Sequence, residues 1–136
     1  MKKGHRGQTT VEFAFVGLMF FALFFGVFEV ARFAFGVSAV SNAAREGARW
    51  AVAVQNIPQP PSPPHACKAS LPGLQNAAYA QLQGITPKPT ITTTEDPSAL
   101  PAWCQVTVTW DYQPVVGGLS FFTGFMLPST SRQYYN

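Results

Sequence analysis

The sequence predicts an α+β chain: a long N-terminal membrane helix, then a small C-terminal head with a second helix and a roughly three-stranded antiparallel sheet. Three observations predict it. Val11 to Val30 is an apolar run broken only by Glu12 and Glu29, about twenty residues and so long enough to cross a bilayer as a helix. No proline occurs before Pro58, so nothing sharply ends a helix that starts near Thr10 before about Val54. Further on, Val106, Val108, Trp110 and Tyr112 alternate with Thr107, Thr109, Asp111 and Gln113, the period of a half-buried strand.

Composition agrees with a membrane-inserted chain. Of 136 residues, 47% are hydrophobic and only 11% charged, about half the usual charged share of a soluble domain. The net charge of +3 is accounted for by Lys2, Lys3 and Arg6, because from Gln8 onward six basic residues face six acidic ones. The body therefore lacks the basic patch of a nucleic-acid binder. The basic leader, residues 1–7, reads as a positive-inside signal that keeps the N-terminus in the cytoplasm.

Residues 8–55 follow as the long helix, spanning the membrane at about 11–30. Glu12 sits one turn inside the apolar block, where an unpaired carboxylate is disfavoured by roughly 2.5–3.5 kcal/mol on insertion scales. Two readings stand. Thr9-Thr10-Val11-Glu12 fits a capping box with Thr9 as N-cap; alternatively, cleavage before Gln8 leaves a free amine that pairs with Glu12 on the same or a neighbouring chain. Ala22 and Gly26 form a small-xxx-small pair that permits close helix approach. The outer half is less greasy: Glu29 and Arg32 stand at i, i+3, and Val37, Val40, Ala44 and Ala48 keep an apolar stripe.

A cleaved secretory signal is the main competitor. Its apolar region is shorter and precedes a small-residue site, whereas Glu29 and Arg32 follow this run, and Ser38 to Ala44 offers only a distant imitation of such a site. An uncleaved signal anchor is compatible with composition but needs neither Gly7 nor Glu12.

These residues resemble a known family. Arg6-Gly7-Gln8-Thr9-Thr10-Val11-Glu12-Phe13-Ala14, then Phe28-Glu29-Val30-Ala31-Arg32, and then Ser41-Asn42-Ala43-Ala44-Arg45-Glu46-Gly47-Ala48-Arg49 are similar to the TadE-like proteins, minor pseudopilins of the tight-adherence (Tad or Flp) pilus within the type IV pilus superfamily. The resemblance is dense over residues 6–52 and looser beyond. It implies a pilin-like helix and cutting by a prepilin peptidase after the glycine five residues before the glutamate. Gly7 meets that spacing, making Gln8 the first mature residue and Glu12 the fifth. It further implies other pilins or pseudopilins of the Tad system as partners. The place is the inner membrane, crossed once with the head in the periplasm, or an extracellular pilus.

Residues 56–66 depart from the family pattern with a proline-dense stretch from Ile57 to His65, read as a stiff linker. Residues 67–136 form the periplasmic head. Leu71, Leu74, Ala78 and Leu82 share one helical face, with Gly84 as the C′ residue. Thr90 to Thr94 is β-prone, and a last strand falls within Met126–Tyr135. Three strands against the outer half of the long helix supply the core so short a head needs. Val115–Leu127 is apolar and glycine-rich, and reads either as a buried loop or strand edge or as an exposed docking patch.

Cys67 and Cys104 are the only cysteines, and an even pair in an oxidising compartment favours a disulfide. No Cys-x-x-Cys, phosphate loop or His-Glu-x-x-His occurs, and His5 and His65 make no metal site with the cysteines. No catalytic residues, cofactor, metal or small-molecule substrate are expected. The function expected is that of a structural subunit for Tad-type pilus assembly and surface attachment; the alternative is a signal-anchored periplasmic binding module of the envelope.

Overall fold

The computed structural model describes residues 6–55, 67, 72–96, 98–99, 101–115 and 124–135. Its elements are α1 (Arg6–Gln55), α2 (Pro72–Ala80), β1 (Thr90–Asp96), β2 (Ala102–Tyr112) and β3 (Phe125–Tyr135), an α+β arrangement with one long helix, a short one and a three-stranded antiparallel sheet. The leader before Arg6 and the linker between Gln55 and Cys67 lie outside the described residues, as does 116–123 of the apolar stretch between Val115 and Leu127. Its described ends are exposed at Val115, Phe125 and Met126 and half-buried at Leu127.

α1 runs 50 residues without interruption, about 75 Å at 1.5 Å per residue. It is already helical at Arg6, so Thr9 lies within the helix and does not act as its N-cap. The two halves of α1 differ in surroundings. In the first, no part of the most apolar stretch is buried: Phe13, Leu23 and Val27 are each at least 70% exposed. In the second, Ala39, Val40, Ala43, Ala44, Ala48 and Ala51 are buried and form one side of the head's core. Small side chains on this stripe let the head approach the helix axis closely.

The sheet has the order β1-β2-β3 with β2 in the middle. Cys104, Val106, Val108, Trp110 and Tyr112 are all buried toward the helix, as their alternation with polar residues predicts. Opposite them stand Ser131, Ser129, Leu127 and Phe125 of β3, paired with Val106, Val108, Trp110 and Tyr112 respectively. Pro128 is tolerated because β3 is an outer strand. On the far face, Thr92 Oγ1 donates to Thr107 O at 3.3 Å and the Thr107 and Thr130 hydroxyls meet at 3.1 Å, a polar layer directed away from α1.

α2 starts at Pro72, where the missing amide hydrogen is harmless, and buries Leu74 and Ala78 against α1. It ends at Ala80, earlier than the position of Gly84 implied. Gln81 and Leu82 donate back to Ala78 O and Tyr79 O in tightened turns, so the chain reaches Leu82 outside the helix. Gly84, at φ +79°, serves the following turn, closed by Ile85 N on Leu82 O, and is not the helix C′ residue.

Two glycines fix how closely these layers fit. A Cβ on Gly36 would stand 2.0 Å from the Trp110 ring, and one on Gly73 would stand 2.0 Å from Trp50. Gly36 seats β2 on α1, and Gly73 seats α2 on the last turns of α1. Gly47 is more permissive, with Val106 3.3 Å from the same construction.

Candidate functional site at the junction of helix and head

The exposed and buried halves of α1 meet at Glu29 to Phe33, where the sequence shows only an i, i+3 ion pair. Glu29 is buried although its neighbours Phe28 and Val30 are exposed. Its Oε1 accepts a short hydrogen bond from the Tyr112 hydroxyl and another from Val115 N at 3.0 Å. Arg32 Nη1 lies 3.5 Å from the same oxygen, and also donates to Gln113 O at 3.0 Å while Nη2 donates to Thr86 O at 3.3 Å. One turn of α1 thus fastens the end of β2, the segment after it and the turn before β1.

Aromatic packing completes the joint. Tyr112 stands edge-on between Phe33 and Trp110, with both ring centroids 5.2 Å away, and the Arg32 guanidinium lies 5.7 Å from its ring centre. Burial, reinforced by the hydrogen bond to Glu29 and that residue's negative charge, pushes the Tyr112 hydroxyl up to about 12; the Arg32 charge works in the opposite direction. The hydroxyl therefore stays protonated and serves as a hydrogen donor at any physiological pH. The joint thus holds helix and head together through three side chains and three backbone groups.

The residues singled out for processing and assembly lie at the other end of the apolar run. Gly7, Gln8 and Glu12 are on the first turns of α1 and exposed, with Gln8 Nε2 donating to Glu12 Oε1 at 3.2 Å. A Cβ at Gly7 would meet nothing within 4 Å, so this glycine is not held by packing. Cys67 and Cys104 are both buried and joined, with Sγ atoms 2.01 Å and Cα atoms 5.8 Å apart. The bond ties the chain before α2 to the central strand. Among the described residues no three His, Cys, Asp or Glu side chains gather where they could hold a metal.

Two features of this site escape sequence reasoning. Glu29 carried a signal, an acid at the edge of an apolar run, but its partner Tyr112 is 83 residues away, and no periodicity spans that gap. Gly36 carried none, because glycine is common in membrane helices for other reasons.

These features define a class: a protein with a helix long and apolar enough to cross a membrane, whose head is built on the continuation of that same helix. Within that class, residues 7–49 match the model of the TadE-like protein family. The match takes in the apolar run, Glu29, Arg32 and most of the small-residue stripe, and ends before the head. No curated protein and no solved structure matches the chain.

Proposed function

We infer that this protein is a structural minor pseudopilin needed for assembly of a Tad/Flp-type pilus, and that it acts by packing and carries out no catalysis. The observation that carries the reading is the division of α1. Its first half presents exposed apolar side chains, and its second half is the head's own core. Such a helix can be stored in lipid and later exchange lipid for neighbouring helices without unfolding the head. The TadE-like match over 7–49 supports the same assignment.

In this reading the chain is held in the inner membrane with its N-terminus in the cytoplasm and its head in the periplasm, until it enters or primes a pilus that serves surface attachment. A prepilin peptidase cuts between Gly7 and Gln8. The exposure of both residues suits such a cut, and the new amine lies one helical turn from Glu12, the carboxylate that matches it inside a bundle of pilins and pseudopilins.

The test is the N-terminal mass of the protein extracted from membranes of cells carrying the peptidase. Gln8 or its cyclised form should come first, and Gly7→Lys should abolish the cut while leaving membrane insertion unchanged. A mature start near Ala43 would establish a secretory signal, and an intact Met1 would favour a plain anchor.

A further inference from the structure

Among the described residues of the head, the large apolar side chains left exposed are Val115, Phe125, Met126 and Tyr134. They are not spread evenly. Val115 N donates to Glu29, Phe125 pairs across the sheet with Tyr112, and Met126 pairs with Asp111. The first three therefore gather at the end of the sheet that meets α1 at Glu29, and each is between 58% and 68% exposed. Tyr134 stands nine positions beyond Phe125 along β3, about 30 Å away at the rise of an extended strand. An exposed apolar patch confined to one end marks a docking surface.

The patch adjoins more surface of the same kind. Phe125 and Val30 line one cavity of about 370 Å³ together with Gly26 and Pro114, so the apolar surface of α1 continues onto the head. On α1 itself that surface runs past Glu29, because Val30, Phe35 and Val37 are exposed. Exposed apolar side chains recur from Val11 to Val37, about 39 Å along the axis, whereas the hydrocarbon core is about 30 Å thick. A helix with Val11 at one boundary brings Glu29, 18 positions on, close to the other, about 27 Å away. Charge at that depth has to be turned inward and paired. Glu29 is indeed buried against Tyr112 and the Val115 amide, with Arg32 beside it bonded to the carbonyls of Gln113 and Thr86.

We propose that this end of the head is immersed in the bilayer together with the helix. Val115, Phe125 and Met126 enter the boundary between acyl chains and headgroups beside Val30, in the leaflet on the head's side. Helix and sheet then form one lipid-contacting band, and the head is held at a set depth and does not swing freely on its anchor. Lys88 and Asp111, which share a second cavity with Met126, mark the limit of that band, since their charges belong with the headgroups and water. Lipid that covers Val30 covers the patch as well, with no further partner.

The proposal rests on α1 lying in a membrane, one part of the function inferred above, and not on pilus assembly. Its test places single cysteines at Val27, Val115, Met126 and Tyr134 of the full chain, one at a time. With Cys67 and Cys104 joined, only the new thiol takes a nitroxide label. The labelled chain is reconstituted in vesicles of phosphatidylethanolamine and phosphatidylglycerol. Collision with oxygen, which concentrates in lipid, and with a neutral nickel chelate, which stays in water, then reports the surroundings of each label. Val27→Cys should favour oxygen and Tyr134→Cys should favour nickel. Met126→Cys should side with Val27→Cys, reversing the order found at the far end of the same strand. Val115→Cys, on a different segment, should do the same, so the result does not hang on one substitution.

Nickel preference at both Met126→Cys and Val115→Cys would mean that the patch faces water, and would overturn the proposal. So would shielding of both labels from either reagent, which would mean that a second protein chain or a second copy covers the patch. Nickel preference at Val27→Cys would instead overturn the membrane reading beneath it.

Discussion

Tyr112, the last residue of β2, donates its phenolic hydrogen to Glu29 on α1 across 83 residues of sequence. That bond joins the end of the sheet to the point where the helix passes from lipid-like exposure to burial. Tyr112→Phe removes the donor, keeps the ring between Phe33 and Trp110, and leaves the carboxylate with less support. It should lower head stability by about 1–3 kcal/mol, read as a shift in the denaturation midpoint of the detergent-solubilised chain. The same bond sets a pH limit. The hydroxyl ionises at about 12 in the folded chain and near 10 when unfolded, so its contribution is full below about 10 and fades as pH rises through about 12. Between those values the wild-type chain should lose more stability than Tyr112→Phe.

Gly36→Ala should be among the most damaging single-methyl additions in the protein. The new Cβ would stand 2.0 Å from the Trp110 ring, and such overpacking typically costs about 1–3 kcal/mol, occasionally more. Gly17→Ala, at a position with nothing within 4 Å, should be neutral or slightly stabilising to α1. Parallel thermal melts compare the two; equal melting temperatures would refute the close seating of the strand on the helix.

Cys104→Ser opens the Cys67–Cys104 bond in a head with little core to spare. A loss of about 2–5 kcal/mol is expected, together with a lower steady-state level in the cell. Alkylation without prior reduction should label no thiol in the wild-type protein and one in the variant.

Glu12→Gln separates assembly from anchoring. Gln8 donates to Glu12 with both side chains exposed, so the change should leave the isolated chain as stable and as well inserted as before. In an assembled bundle, breaking a buried pair with a subunit amine costs about 3–5 kcal/mol. Surface pili should then be absent or sparse while a blot shows normal amounts of cleaved protein. Normal piliation would rule out the pairing.

The elements of this fold were readable wherever a local period marked them. The 3.6-residue stripe on α1 and the two-residue alternation in β2 name Val40, Ala44, Ala48, Val106, Val108, Trp110 and Tyr112 of the core, because burial of one face is what produces those periods; Val37 of that stripe is instead exposed, and Ala39, Ala43 and Ala51 share the buried face. The resemblance to TadE-like proteins was readable for the same reason, being confined to one continuous segment. The joint was not. It depends on a carboxylate, a phenol, a guanidinium and three backbone groups drawn from three separate parts of the chain, and such a convergence leaves no local pattern. The end of α2 was misplaced because Leu82 continues the helical spacing while reaching the core from a turn.

Because Ala39 to Ala51 of α1 form one wall of the core and the facing strand is made more than fifty residues later, the order of synthesis matters. The ribosome delivers the helix first, and its second half must wait, its small-residue stripe uncovered, until β2 arrives. A fragment beginning after Gln55 lacks that wall altogether. One beginning near Ala31 retains it, at the loss of Glu29. A soluble form of this head therefore has to carry a length of its own anchor, and the useful cut lies within the helix and not at its end.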